Sequence, residues 1–125
     1  MTQQYEESLS AALRRALADK GYTQLTPVQE AVLDPALAGR DLRVTSQTGS
    51  GKTLAIGFAL RALVTEPPAA GKGLAQPRAL VVTPTRELAL QVESELSWLY
   101  AHEPGRVASA TSGADYRSEQ RALAK

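Results

Sequence analysis

Apolar residues along this chain gather in two ways, at helical spacing and in short unbroken runs, and the two alternate. Over residues 8–19, Leu9, Leu13, Ala16 and Leu17 fall on one helical face, and Gly21 stops the pattern. Thr26-Pro27 opens a second helix running to about residue 37. Val28, Ala31, Val32 and Leu33 form its buried side, and Gly39 closes it. A short strand is expected over 41–44, followed by a glycine-rich turn and an almost entirely apolar helix over 54–64. A helix apolar all round is expected to pack on more than one side. Residues 65–77, rich in proline and glycine, read as a loop. Ala79-Leu80-Val81-Val82 shows no alternation, which predicts a strand covered on both faces in a parallel sheet. Residues 86–100 form the next helix, with Leu88, Val92, Leu96 and Leu99 on its core face. A further strand is expected over 107–111 and a helix from 118 to 124. Strands alternating with helices, without an internal repeat, predict an α/β domain with right-handed crossovers.

The turn before the apolar helix carries the chemistry. It reads Ser46-Gln47-Thr48-Gly49-Ser50-Gly51-Lys52-Thr53. Glycines followed by Lys-Thr at a strand-to-helix turn make a phosphate cradle, because successive N–H groups and the positive helix end converge on one spot. Glycine at 49 and 51 allows positive φ and close approach of phosphate oxygens. Lys52 would reach the outer phosphates, and the Thr53 hydroxyl would be a ligand to a phosphate-bound Mg²⁺. The general phosphate-loop pattern has glycine where Ser46 stands, but the strand before and helix after supply the required setting. The plainer alternative is a Gly/Ser-rich turn capping an ordinary helix.

Composition narrows the class without naming it. A chain of 125 residues holds one domain with a real core, and 43% hydrophobic content suits a folded globule. Fourteen basic against thirteen acidic residues give +1, so any nucleic-acid site must be local. With no cysteine there is no disulfide, thiolate metal site or cysteine nucleophile. The start, Met1-Thr2-Gln3-Gln4-Tyr5-Glu6-Glu7, is polar and acidic rather than signal-like, and no apolar run approaches a membrane span. The cytoplasm is the expected location.

Two further stretches flank the phosphate loop: Gly21-Tyr22-Thr23-Gln24-Leu25-Thr26-Pro27-Val28-Gln29 and Pro84-Thr85-Arg86-Glu87-Leu88-Ala89. With residues 46–53 between them, they closely resemble the Q motif, motif I and motif Ia of the DEAD-box ATP-dependent RNA helicases, in order and at the right separations. The resemblance covers nearly the whole chain, and Ser46 fits a family in which Ser or Ala commonly replaces the first glycine. It implies a parallel-sheet P-loop NTPase (RecA-like) domain, incomplete, with a helical Q-motif region over 1–40 and a P-loop core over 41–125.

Each implied role has a chemical counterpart. Gln29 would read the donor and acceptor pair on the adenine edge, which implies ATP over GTP. Tyr22 would stack on the adenine ring. Taken alone, Thr26-Pro27-Val28-Gln29 is better explained as a capping box with proline at its first helical position; only the partner motifs reverse that order. Thr-Pro-Thr is likewise a good helix start, and Glu87 suits the macrodipole. Arg86 does not, since a cation in a first turn is unfavourable by a few tenths of a kcal/mol, roughly, and an external anion accounts for it better. The resemblance makes that anion RNA backbone, contacted by Pro84, Thr85, Arg86 and Gly113. Ser112-Gly113 stands where the family usually has Gly-Gly. The upstream family Phe falls on Gln4, with Tyr5 one residue late, so either Tyr5 substitutes for it or the adenine pocket is looser.

Other residues take the plain reading. His102 is expected on the surface, Trp98 in packing rather than base stacking, and Arg14, Arg15 and Lys20 on a solvated helix face. The family's Asp-Glu-Ala-Asp strand end, its Ser-Ala-Thr and its second-domain arginines do not occur in these 125 residues; Asp115, after a glycine turn, is a poor substitute. Without those groups phosphoryl transfer loses its transition-state stabilisation, so these residues alone are expected neither to hydrolyse ATP usefully nor to unwind RNA. Absent central strands would leave open edges, which predicts an oligomer or domain exchange. Three functions are thus weighed: part of an RNA helicase, a non-catalytic nucleotide- or RNA-binding module, and a small P-loop kinase. The adenine-edge Gln29 and Pro84-Thr85-Arg86-Glu87 argue against the last.

Overall fold

A computed structural model describes residues 5, 7–66, 76–113 and 115–124 of the chain. Gln4 and most of the expected 65–77 loop lie outside the described residues.

The helices begin where side chains can satisfy free backbone donors. In α1 (Ala11–Asp19) the Ser10 hydroxyl accepts from the Leu13 N–H at 3.1 Å and donates to the Glu103 carboxylate. The helix ends in a Schellman turn: Gly21 has φ 78°, its N–H reaches Ala18 O, and the Tyr22 N–H reaches Leu17 O at 2.9 Å. Pro27 starts α2 (Pro27–Ala31), which is shorter than expected. Pro35 pushes Asp34 out of helical dihedrals, to φ −58° and ψ 121°, and the Asp34 carboxylate then caps a 3₁₀ turn over Pro35–Leu37. Val32 and Leu33 are buried as expected and Val28 partly so, but Ala31 faces solvent.

α3 (Lys52–Ala59) leads through Leu60, at φ −87° and ψ −1°, into α4 (Arg61–Thr65). Thr85 caps α5 (Arg86–Leu99), accepting from the Leu88 N–H at 3.2 Å, and Asp115 caps α6 (Tyr116–Leu123). The core forms where α3 packs against α2 and α5, and α1 against α5. Leu13, Leu17, Leu33, Phe58 and Leu99 are fully buried there. Burial of each such side chain contributes roughly 1.5–3 kcal/mol.

Gly57 sets the approach of α3 to α5. A Cβ at that position would stand 2.5 Å from Leu99 Cδ2 and 2.9 Å from Leu96 Cδ2, so only glycine admits the two leucines. The Tyr100 hydroxyl donates to the Gly57 carbonyl at 2.6 Å. Burial, with the charge of Glu103 adding to it, raises the phenol well above its ordinary range.

Several expectations need correction. Residues 41–44, 79–82 and 107–111 run without helix, but no β-ladder forms among the described residues, so the expected parallel sheet is not assembled there. A strand's N–H and C=O groups point sideways and need a neighbouring strand about 4.8 Å away. Among the described residues these segments form no such ladder. Nor is the 79–82 run covered on both faces, since Leu80 is 86% and Val82 83% exposed. The apolar helix packs against both α2 and α5 but is not enclosed all round: Leu54, Ala55, Gly57 and Phe58 are buried, while Ile56, and Leu63 in α4, are exposed. Leu88, expected in the core, also lies at the open end of α5. The segment 106–111 is held instead by side chains, Ser109 donating to Glu93 at 2.5 Å and the Thr111 N–H to Glu119 at 2.7 Å.

Candidate nucleotide and RNA site

The phosphate loop takes the backbone its glycines allow. Gly49 has φ 77° and Gly51 φ 85°, both left-handed, and Gly51 is the N-cap of α3. Ser46 and Ser50 bond to one another through their hydroxyls at 2.7 Å, tying the two sides of the turn. The Lys52 ammonium donates to Ser46 O and, at 3.2 Å, to Gln47 O, so its charge sits at the mouth of the loop. Thr53 follows in the first turn, half-buried, and Gln47 and Thr48 lie exposed at the tip.

Gln29 ties this loop to the helical region before it. Only 1% exposed, it accepts from the Thr26 N–H at 3.0 Å through Oε1, and its Nε2 donates to Gly51 O at 3.2 Å. Its amide thus ties the start of α2 to the phosphate loop. A Cβ on Gly51 would meet Gln29 Nε2 at 2.3 Å and Thr26 Oγ1 at 3.3 Å, so glycine is required there by crowding as well as by φ. Thr26 Oγ1 is buried without a hydrogen-bond partner among the described residues, leaving a polar atom beside the loop unsatisfied. Nothing in the sequence signalled the Gln29–Gly51 bond, because the partner is a carbonyl far along the chain.

Tyr22 is 41% exposed. Its ring stacks on Trp98, centroids 5.7 Å apart and planes 15° from parallel, and Lys20 Nζ stands 5.5 Å from the indole centroid. Trp98 is partly buried against the core, as a packing residue should be. Tyr5 also packs against the core. His102 bonds to Asp19 at 3.1 Å near the surface, and Arg14, Arg15 and Lys20 are exposed.

The second set of site residues converges at the start of α5. Arg86 is exposed, and its Nη1 lies 3.3 Å from where a Cβ on Gly113 would stand. Gly113 takes φ 81°. Pro84 and Thr85 flank Arg86 on the exposed rim, and Thr83 Oγ1 donates to Thr85 O at 3.1 Å, fixing the turn into the helix. Arg86 and Gly113, distant in sequence, therefore share one surface. Asp115 is engaged as the cap of α6.

The fold as a whole is similar to that of solved helicases. The chain is similar over 98% of its length to the RNA helicase Prp28 from Chaetomium thermophilum bound to ADP, with TM-score 0.80 and 34% identity, covering 30% of that chain. It is also similar to a hypothetical ATP-dependent RNA helicase from Sulfolobus tokodaii, with TM-score 0.73 and 28% identity over 90% of this chain and 30% of that one. These likenesses support the RecA-like helicase fold even where the sheet is not assembled. Among relatives, the ATP-dependent RNA helicase RhlB of Aliivibrio salmonicida is 38% identical over 83% of this chain and 24% of its own length. The ATP-dependent RNA helicase SrmB of Escherichia coli is 42% identical over 89% of this chain and 24% of its own. The family described as DEAD/DEAH box helicase matches residues 26–125. The chain belongs to that family, and it spans about a quarter of the length of the curated relatives it matches.

Proposed function

We propose that this chain is the nucleotide-binding, RNA-contacting N-terminal part of a DEAD-box ATP-dependent RNA helicase. The observation that carries the proposal is the Gln29 amide bonded to Gly51 O, which couples the base-reading segment to the phosphate loop. The residues fit a nucleotide. The left-handed Gly49 and Gly51 lead into the start of α3, where an anion is favoured. Lys52 would exchange its two carbonyl partners for phosphate oxygens, a stronger charge-assisted pairing. Ser46, Gln47, Thr48 and Ser50 complete the cradle. No group of three His, Asp or Glu side chains able to hold a metal is assembled among the described residues, so Mg²⁺ would be held by the phosphates with Thr53 as the protein's ligand.

The Gln29 amide uses one donor and one acceptor on the protein and is 1% exposed, so reading an adenine edge would require the segment to open enough to present its remaining donor and acceptor. Tyr22 supplies a flat face for the ring. At the other end of the surface, Arg86 with Pro84, Thr85 and Gly113 would bind RNA phosphate without reading sequence. Bound ATP supplies the phosphoanhydride whose turnover the whole helicase couples to strand separation. These 125 residues hold nucleotide and RNA without supplying the carboxylates and arginines that turnover needs. The division at residue 40, helical Q-motif region before and phosphate-loop core after, belongs to the same proposal, as does a cytoplasmic location.

Calorimetric titration with ATP and Mg²⁺ tests it, comparing the chain with Lys52→Ala and Gln29→Ala. Saturable binding that weakens at least tenfold in Lys52→Ala, and loses its preference for ATP over GTP in Gln29→Ala, is the expected result. Failure of the unaltered chain to bind, or equal affinity for both nucleotides, rejects the reading.

A further inference from the structure

We propose that Trp98 is a positioning residue for the adenine platform: it holds the Tyr22 ring in place, so that base affinity depends on a side chain that does not touch the nucleotide. This inference rests on the adenine reading of Tyr22.

Tyr22 is fixed from two directions. Its backbone is the last residue of the Schellman turn of α1, held by the bond from its N–H to Leu17 O at 2.9 Å. Its side chain is held by Trp98, whose indole lies nearly parallel to the phenol ring at 5.7 Å. Stacking of this kind uses one aromatic face, and Tyr22 is still 41% exposed, so ring surface remains for a ligand. Trp98 is itself anchored, packing against the buried core from the last turn of α5. Lys20 lies over the indole with its Nζ 5.5 Å from the centroid, adding a cation to the pile.

A platform held in this way loses little side-chain entropy when a base stacks on it, and preorganisation of that sort appears as affinity. An unanchored tyrosine would be immobilised only on binding. The anchoring also places the adenine platform at the C-terminal end of the helix whose first residue is Arg86. One rigid element thus carries both the arginine proposed to meet RNA and the tryptophan that orients Tyr22.

Trp98 is the one tryptophan of the chain, so its emission reports on this spot directly. The unaltered chain is titrated with ATP and with inorganic tripolyphosphate, each with Mg²⁺, while tryptophan emission is followed; affinities of both ligands are then measured by calorimetry for the chain, Trp98→Leu and Trp98→Phe. ATP is expected to change the emission and tripolyphosphate to leave it unchanged. Trp98→Leu is expected to weaken ATP about three- to tenfold, the scale of one aromatic pair, with tripolyphosphate affinity intact and Trp98→Phe restoring most of the loss. ATP affinity unchanged in Trp98→Leu, or an equal loss for both ligands, overturns the positioning role while leaving the adenine reading in place. Equal affinity of the unaltered chain for ATP and tripolyphosphate, or no binding of ATP, overturns the adenine reading and this inference with it. Should Trp98→Leu fail to fold, an emission of the unaltered chain that is indifferent to ATP at saturation overturns the inference by itself.

Discussion

The helical core and the extended apolar runs of this chain carry similar side chains in opposite surroundings. Leu13, Leu17, Leu33, Phe58 and Leu99 are at 0% exposure, whereas Leu80 and Val82 remain at 86% and 83%. The difference lies in the backbone rather than in hydrophobicity. A helix closes its hydrogen bonds within itself, so α3 and α5 need only one another's apolar faces to be stable. An extended segment closes none until a second strand lies beside it, and without that ladder its side chains have no fixed surface on which to pack.

The largest expected effect tests the core side of that contrast. Phe58→Ala should cost about 3–5 kcal/mol in urea unfolding followed by circular dichroism, while Val82→Ala should change stability by no more than about 0.5 kcal/mol. Comparable losses at the two positions would erase the distinction between the regions. Next comes Gly57→Ala. Alanine favours a helix over glycine by about 1 kcal/mol, yet the crowding by Leu96 and Leu99 should reverse the sign and leave a net loss of about 1–3 kcal/mol. A neutral or stabilised variant would mean that α3 and α5 do not approach as closely as described.

Tyr100→Phe sharpens the comparison through pH. Removing the hydroxyl loses its bond to Gly57 O and should cost about 1 kcal/mol at neutral pH. Because burial raises the folded phenol above its ordinary 10.0, the unfolded chain ionises first as pH rises. Stability contributed by this tyrosine is therefore complete below pH 10 and lost above it. The phenylalanine variant should show a shallower alkaline loss in the same unfolding assay, and an unchanged slope would locate the titrating group elsewhere.

The smallest expected change in stability accompanies a visible change in association. Leu80→Ser with Val82→Ser should shift unfolding by no more than about 0.5 kcal/mol, while moving the sedimentation-derived mass toward the monomer. If the unaltered chain already sediments as a monomer, its exposed runs do not drive self-association, and the expected oligomer or domain exchange is wrong.

Much of the helical framework was legible because its signals are local. Thr26-Pro27 and Thr85 mark helix starts where the structure has them, Gly21 ends α1, and the leucine spacing of residues 88–99 foretold Val92, Leu96 and Leu99 as buried. Asp34-Pro35 was legible too, and was read through: a proline at that point breaks the helix, and the expected run to residue 37 ignored it. The strands were misjudged for a different reason. A run such as Ala79-Leu80-Val81-Val82 states what it would do beside a partner, and the sequence does not show whether that partner is present.

By itself the sequence determined the family, the phosphate-loop turn and several helix starts, since each depends on residues within a few positions of one another. Only the tertiary structure decided that Gln29 bonds to Gly51, that Arg86 meets Gly113, that Gly57 admits Leu96 and Leu99, and that Tyr22 lies on Trp98. Each joins segments far apart along the chain, and periodicity carries no information about which distant surfaces meet. That choice is made by packing, where volume, ring orientation and the need to satisfy each buried polar group are resolved together.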